Sequence, residues 1–263
     1  MASKKALVRP ASPRLADGIV THIERQPLDY HLALKQWEGY VEAMEGSGWE
    51  IVEVPPADEC PDGAFVEDAV VAFRNVAVLS RPGADSRRPE VAGIEETMEA
   101  LGCSLNRIRP PGTLDGGDVL RIGDTIYVGS GGRTNADGLR QLSNILGPLG
   151  ATVLAVPGPL RKVLHLKSAV TALPDGTVIG YPPLVDDPGF FSPFLAVPEE
   201  SGAHVVDLGA NKILMAADCP RSHELFTDLG YQVVTADISE FQKLEGCVTC
   251  LSVRLRELSR EPL

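Results

Sequence analysis

The sequence predicts an α/β fold in which strand-turn-strand units, each with a helix, stand in a ring closed by the two ends of the chain. Three observations predict it. Apolar runs of four or five residues recur in pairs across two-residue turn signals, once in roughly every 35 to 50 residues. Stretches with helical spacing of apolar residues lie between the pairs. The apolar runs Ala6 to Arg9 and Val248 to Val253 have no local partner, so they are expected to pair with each other and join the chain ends. Such a ring of repeats is a five-bladed propeller in which every blade carries a helix, a single α/β domain over residues 1–263 with approximate five-fold symmetry. A doubly wound sheet is the alternative. It lacks its signature, because no Gly-x-Gly-x-x-Gly follows a strand, and Gly129-Ser130-Gly131-Gly132 has the wrong spacing to cradle phosphate.

In chain order, Ala6 to Arg9 reads as a strand and Pro10 to Gly18 as a loop that serves either as a lid or as a plain connection. From Asp29 to Met44 the residues Leu32, Leu34, Trp37, Tyr40, Val41 and Met44 fall on one helical face, whose aromatics are expected in the core. Trp49 to Val54 is a strand stopped by Pro55-Pro56. The paired runs then follow. Ala69 to Phe73 and Val76 to Leu79 flank Arg74-Asn75, with a helix from Pro89 to Leu101. Gly117 to Arg121 and Thr125 to Gly129 flank Gly123-Asp124, with a helix from Ala136 to Leu149. Ser168 to Leu173 and Val178 to Tyr181 flank Asp175-Gly176. Ala203 to Leu208 and Lys212 to Ala216 flank Ala210-Asn211, with a helix from Arg221 to Leu229. Val248, Cys250 and Ser252 share one side of a period-2 pattern, so Cys250 is expected near the start of the last strand.

Composition narrows the function. With 263 residues, 44% of them hydrophobic, the chain is long enough to bury a full core. The five cysteines are odd in number and scattered, and the N-terminal residues lack an apolar signal core, so a reducing cytoplasm without a disulfide framework is expected. No apolar run reaches membrane-spanning length. A formal charge of −12 opposes nucleic acid and acidic lipid and favours a neutral or cationic small molecule.

Polar residues gather where the paired runs begin. Asp62, Glu67 and Asp68 precede the first pair, Asp115-Gly116-Gly117-Asp118 the second and His165 the third, while Cys250 opens the closing strand. Each has an ordinary structural reading: cap, turn or calcium loop, satisfied histidine, buried or paired Cys-x-x-Cys. Their recurrence at equivalent places points instead to one central site where a thiol is a candidate nucleophile.

These residues resemble the guanidine-modifying (pentein) superfamily, in its dimethylarginine branch. The resemblance rests on Phe65-Val66-Glu67-Asp68, Ser80-Arg81-Pro82-Gly83-Ala84 with Ser86-Arg87-Arg88, Leu114-Asp115-Gly116-Gly117-Asp118-Val119-Leu120, Arg133-Thr134-Asn135, Leu164-His165-Leu166-Lys167-Ser168 and Thr249-Cys250-Leu251-Ser252. It covers nearly the whole chain and implies a five-bladed α/β propeller, the pentein fold, that hydrolyses methylated arginine to citrulline, with no cofactor and no metal. By resemblance, Cys250 attacks the guanidinium carbon. His165 protonates the departing amine and then activates water, and Asp115 orients His165. Asp68 holds the guanidinium, with Glu67 and Asp62 near the amino-acid end; Arg87 and Arg133 match positions that grip the carboxylate; Leu244 offers a backbone carbonyl, and Val20 sits in the lid.

Arginine deiminases carry Glu-Gly-Gly-Asp and His-x-Asp, whereas this chain has Asp115 and, two residues after His165, Lys167. That favours a methylated substrate. Arginine or agmatine deiminase and amidinotransferase stand as alternative guanidine chemistries, and a non-catalytic metal module on Cys247, Cys250 and His165 as an alternative of another class. The expected assembly is a monomer or homodimer.

Overall fold

The computed structural model describes residues 4–158 and 160–256. Its backbone forms five three-stranded sheets. The first unit contains β1 (Lys5–Val8), α1 (Tyr30–Glu45) and β2 (Glu50–Glu53). The second runs β3 (Val70–Phe73), β4 (Val76–Leu79), α2 (Val91–Ala100) and β5 (Ser104–Arg107). The third runs β6 (Val119–Ile122), β7 (Thr125–Val128), α3 (Ala136–Leu146) and β8 (Thr152–Ala155), and the fourth has only strands, β9 (Val170–Ala172), β10 (Val178–Gly180) and β11 (Phe194–Ala196). The fifth runs β12 (Val205–Gly209), β13 (Lys212–Ala216), α4 (Pro220–Asp228) and β14 (Gln232–Ala236); after the short α5 (Ser239–Gln242), β15 (Val253–Leu255) returns to the first sheet.

Every sheet repeats one pairing rule: its middle strand is antiparallel to one neighbour and parallel to the other. Hairpins supply the antiparallel pairs, and crossovers the parallel ones, as strand direction requires. In the first sheet β15 takes the place of the missing hairpin arm, with Leu7 opposite Val253. The expected ring closure is therefore present.

Two expectations are corrected. The fourth unit has no α-helix among the described residues; β10 reaches β11 through 3-10 turns at Pro182–Leu184 and Pro188–Phe190, where four prolines from Pro182 to Pro193 remove the backbone donors a helix needs. Cys250 is not on a strand either. Residues 248–251 form a turn, with the Cys250 N–H donating to the Cys247 carbonyl at 3.1 Å, and the strand starts at Val253.

Local chemistry explains the helices. Asp29 caps α1 by accepting from the His31 and Leu32 N–H groups, and Asn135 caps α3 by accepting from Gly138. Pro220 opens α4 at a position where a missing N–H costs nothing. As expected, α1 turns Trp37, Tyr40 and Met44 into the core. The Tyr40 hydroxyl also bonds Ser252 Oγ at 2.7 Å and the Val248 carbonyl at 2.9 Å, which fixes both ends of the Cys250 turn. Among the described residues no helix is long and apolar enough to cross a membrane.

Candidate active site

The functional side chains share a structural address. A 3-10 turn precedes the first hairpin strand of four units, at Val66–Ala69, Gly116–Asp118, Leu166–Ser168 and Ser201–Ala203, and the Cys250 turn precedes β15 in the same way. Glu67, Asp68 and Asp118 lie on such turns; Asp115 and His165 are the residues that enter them. The turns face one another around the ring axis, so residues some 50 positions apart meet.

At the centre is His165, 3% exposed, with a carboxylate at each ring nitrogen. Nε2 lies 3.0 Å from Asp115 Oδ2, and Nδ1 lies 3.7 Å from Asp68 Oδ1. A neutral imidazole has one donor only, so this arrangement suits the doubly protonated ring. Burial by itself would lower the histidine pKa, but Asp68, Asp115 and Asp118 outweigh it and raise it to about 9. Asp68 answers in the opposite sense: burial pushes it up, and the His165 and Arg87 charges bring it down to about 2.

Both acids are held in turn. Asp115 Oδ1 accepts from the Gly83 N–H at 2.9 Å, and Asp68 takes Arg87 Nη1 at 2.7 Å and the Gly117 N–H at 2.8 Å. Gly117 admits no side chain. A Cβ there would come within 2.5 Å of Asp68 Oδ1 and 2.7 Å of His165 Nδ1. Asp118 accepts from the Leu166 N–H at 3.0 Å and so fixes the backbone just after the histidine; burial raises its carboxyl to about 6.

Cys250 joins this group in a small cavity of about 10 Å³, lined also by Ile19, Asp62, Asp68, Arg87, Arg133, His165 and Leu244. That volume is roughly one water's worth. The Cys250 thiol pKa is raised well above its ordinary value by its hydrogen bond to Cys247, by burial and by the charges of Cys247, Glu67 and Asp68. Arg133 brings a buried Nη1 that has no hydrogen-bond partner. Arg87 reaches the same cavity with its guanidinium already held by Glu90 and Asp68. Asp62 accepts from the Ile19 N–H at 3.1 Å, and burial raises its carboxyl.

Two placements differ from expectation. Glu67 does not line this cavity: Oε1 of its carboxylate binds Lys167 Nζ and Arg254 Nη2, each at 2.7 Å, and it faces a second cavity. Only its backbone approaches the cysteine, the Glu67 N–H donating to the Cys250 carbonyl at 3.2 Å. On the early loop it is Ile19 that lines the site, while Val20 packs against the hydrophobic core. The sequence reading also missed Glu90, although its position three residues after Arg87 was a legible pairing signal, and Glu245, which accepts from the Thr21 and His22 N–H groups and pins that loop. No sequence signal marks Glu245.

The metal-module alternative finds no support here. Among the described residues, the one group of three whose ligand atoms lie within 4.8 Å of one another is Asp68, Asp115 and His165, without either cysteine, and the hydrogen bond of the histidine to Asp115 and its ion pair with Asp68 already account for it.

Sheets that repeat around an axis, with their reacting groups gathered at one end of it, form the pentein architecture of guanidine-modifying enzymes. A crystal structure of dimethylarginine dimethylaminohydrolase from Pseudomonas aeruginosa, a cysteine-to-serine variant complexed with citrulline, superposes with a TM-score of 0.89 at 35% identity, covering 97% of this chain and 100% of that one. The adduct of a histidine-to-glycine variant of such an enzyme with S-methyl-L-thiocitrulline superposes equally well, with the same identity and coverage. No family-wide sequence profile matches the chain. A relative from Streptomyces coelicolor named N(G),N(G)-dimethylarginine dimethylaminohydrolase is 67% identical over 258 residues, which span 98% of this chain and 99% of the relative. The chain belongs to the dimethylarginine dimethylaminohydrolase family, hydrolases that act on C–N bonds.

Proposed function

We propose that the protein hydrolyses asymmetric dimethylarginine and monomethylarginine to citrulline and dimethylamine or methylamine through a covalent intermediate on Cys250. The observation that carries this is the imidazolium of His165, clamped by Asp68 and Asp115 in the cavity that holds the Cys250 sulfur. A guanidinium carbon is a weak electrophile because its charge is delocalised, so it needs a strong nucleophile and a ready proton for the leaving amine. With a pKa of about 9, His165 carries that proton at neutral pH.

Asp68 steadies the cationic plane of the guanidinium. Cys250 attacks, His165 protonates the methylated amine, and the bond to carbon breaks. His165, now neutral, takes a proton from water as it attacks the amidino-thioether, which releases citrulline and restores the thiol. Asp62, whose charged form is disfavoured by burial and is stabilised by a cation beside it, receives the substrate ammonium, and the open Nη1 of Arg133 receives its carboxylate beside Arg87. Leu244, which lines the cavity, offers its backbone carbonyl. Because the cavity is far smaller than the substrate, the loop around Ile19 and Val20 opens to admit it.

The thiol begins neutral. The hydrogen bond to Cys247 and burial hold its pKa up, and the charges of Glu67 and Asp68 add to them; the arriving guanidinium offsets those charges, so substrate binding itself promotes loss of the thiol proton to solvent, and the proton returns to the sulfur when citrulline leaves. In this reading residues 1–263 form one catalytic unit, supported by the closure of β15 on β1, and it works in the cytoplasm as a monomer or homodimer without cofactor or metal. The test is release of citrulline from asymmetric dimethylarginine, from arginine and from agmatine in parallel, with mass spectrometry of trapped enzyme. Turnover of the dimethylated compound with an adduct on Cys250 supports the reading; preference for arginine or agmatine overturns it.

A further inference from the structure

A second thiol lies beside the nucleophile and has no part in the chemistry above. Cys247 Sγ is 3.3 Å from Cys250 Sγ, and the two belong to one tight turn. A disulfide has an S–S length of about 2.0 Å, so small side-chain rotations bring these sulfurs into bonding range. The other cysteines are placed differently: Cys103 contacts Met98, Cys219 donates to the Ala216 carbonyl, and Cys60 is buried near Arg9. All are free thiols.

We propose that Cys247 and Cys250 form a reversible disulfide under peroxide, a modification site that switches the enzyme off and shields its sulfur from irreversible oxidation. Cys250 lines the cavity, so a small oxidant reaches it by the path the substrate uses. Its proton passes along the hydrogen bond to Cys247 and its sulfur attacks one oxygen of hydrogen peroxide; an S–O bond forms, the O–O bond breaks, and hydroxide leaves, becoming water with a proton from solvent. Cys247 then attacks the sulfenic sulfur. The S–S bond forms, the S–O bond breaks, and a second water leaves, so two thiols lose two electrons to one peroxide. Cys247 is suited to the second step by its place, 3.3 Å from the sulfur it attacks, and at rest the hydrogen bond from Cys250 lowers its pKa, which makes it the natural acceptor of the Cys250 proton. Reduction by an external dithiol reverses the bond. The loss of turnover rests on Cys250 as nucleophile, whereas the bond itself does not.

The test treats the reduced full chain with graded hydrogen peroxide, alkylates the remaining thiols and maps peptides without reduction. The peptide that spans both cysteines should be lighter by two hydrogens and carry no alkyl group, activity should fall in step, and dithiothreitol should restore it. In Cys247→Ala and Cys247→Ser the same exposure should drive Cys250 to sulfinic acid, with about tenfold less of each variant's starting activity recovered by dithiothreitol than in the wild type. The switch is overturned if the wild-type peptide keeps two alkylatable thiols while activity falls, or if wild type and variants recover equally. A disulfide that forms without loss of turnover would instead overturn the role of Cys250 as nucleophile, and with it the switch, while leaving the bond in place.

Discussion

Two cavities are lined by residues from around the ring, and the larger is not the one to which we assign the chemistry. It holds about 360 Å³ and is walled by the inner strands β3, β6, β9, β12 and β15, one from each sheet. The smaller, at the turns that precede some of those strands, gathers Cys250, His165, Asp68, Asp62 and Arg133. Neighbours in sequence divide between them: Asp68 serves the small cavity and Glu67 the large, because both sit on one 3-10 turn whose side chains fan out. In the large cavity, Oε1 of Glu67 meets two cations at 2.7 Å, while its buried Oε2 has no hydrogen-bond partner. In the small one, an arginine nitrogen lacks a partner and a histidine is held charged between acids. Open polar atoms occur at both cavities, so what marks the small one is the charge forced on its histidine beside a buried thiol, more than room.

The largest effect that distinguishes the two cavities is expected from Cys250→Ser, which should lower turnover by about a thousandfold or more while leaving the unfolding temperature nearly unchanged. Retained activity would remove Cys250 as the nucleophile.

Asp115→Asn should come next. Loss of that charge lowers the His165 pKa from about 9, so the proton needed by the leaving amine is lost on the alkaline side first, and the rate at pH 8 should drop about a hundredfold, more than at pH 6. Titration of the imidazole by NMR checks the direction. The same shift sets a stability window. Since the folded pKa lies above the unfolded one of about 6.5, the His165 contribution is complete below that pH and disappears as pH rises through 9, so wild type should lose more stability between pH 7 and 9 than His165→Ala does.

Arg133→Ala should raise KM for dimethylarginine by some tens-fold and barely change it for dimethylagmatine, which has no carboxylate. Equal losses would mean that its open nitrogen serves another purpose. Smallest in catalysis should be Glu67→Gln: KM within about twofold of wild type, with stability reduced by about 3 kcal/mol because the buried Lys167 and the half-buried Arg254 lose their charged partner. A large KM effect without destabilisation would return Glu67 to the substrate site.

The sequence disclosed the hairpins because turn pairs such as Gly123-Asp124 and Asp175-Gly176 interrupt apolar runs. Apart from β2, it hid the outer strands that follow the hairpins. Ser104–Arg107 and Thr152–Ala155 lie at sheet edges with exposed ends, so they carry no alternating pattern to read. The period-2 reading of Val248, Cys250 and Ser252 failed because every residue from Cys247 to Val253 is buried, and a turn buried on all sides imitates a strand. Asp115, Asp118 and His165 were legible through their recurrence before each hairpin. The opposite directions taken by Glu67 and Asp68, and the nearness of Cys247 to the nucleophile, depend on side-chain geometry that spacing along the chain does not encode.

The pairing of β15 with β1 has a consequence for how activity arises. In chain order the acids come first, then the histidine, and the sulfur only after four sheets have been specified. The sulfur reaches its partners when a strand near residue 254 finds one near residue 6 across some 250 residues, a contact with a high loop-closure cost that forms late in folding. A partly folded chain is therefore chemically silent, and the onset of citrulline release during refolding is a clock for the final closure of the ring.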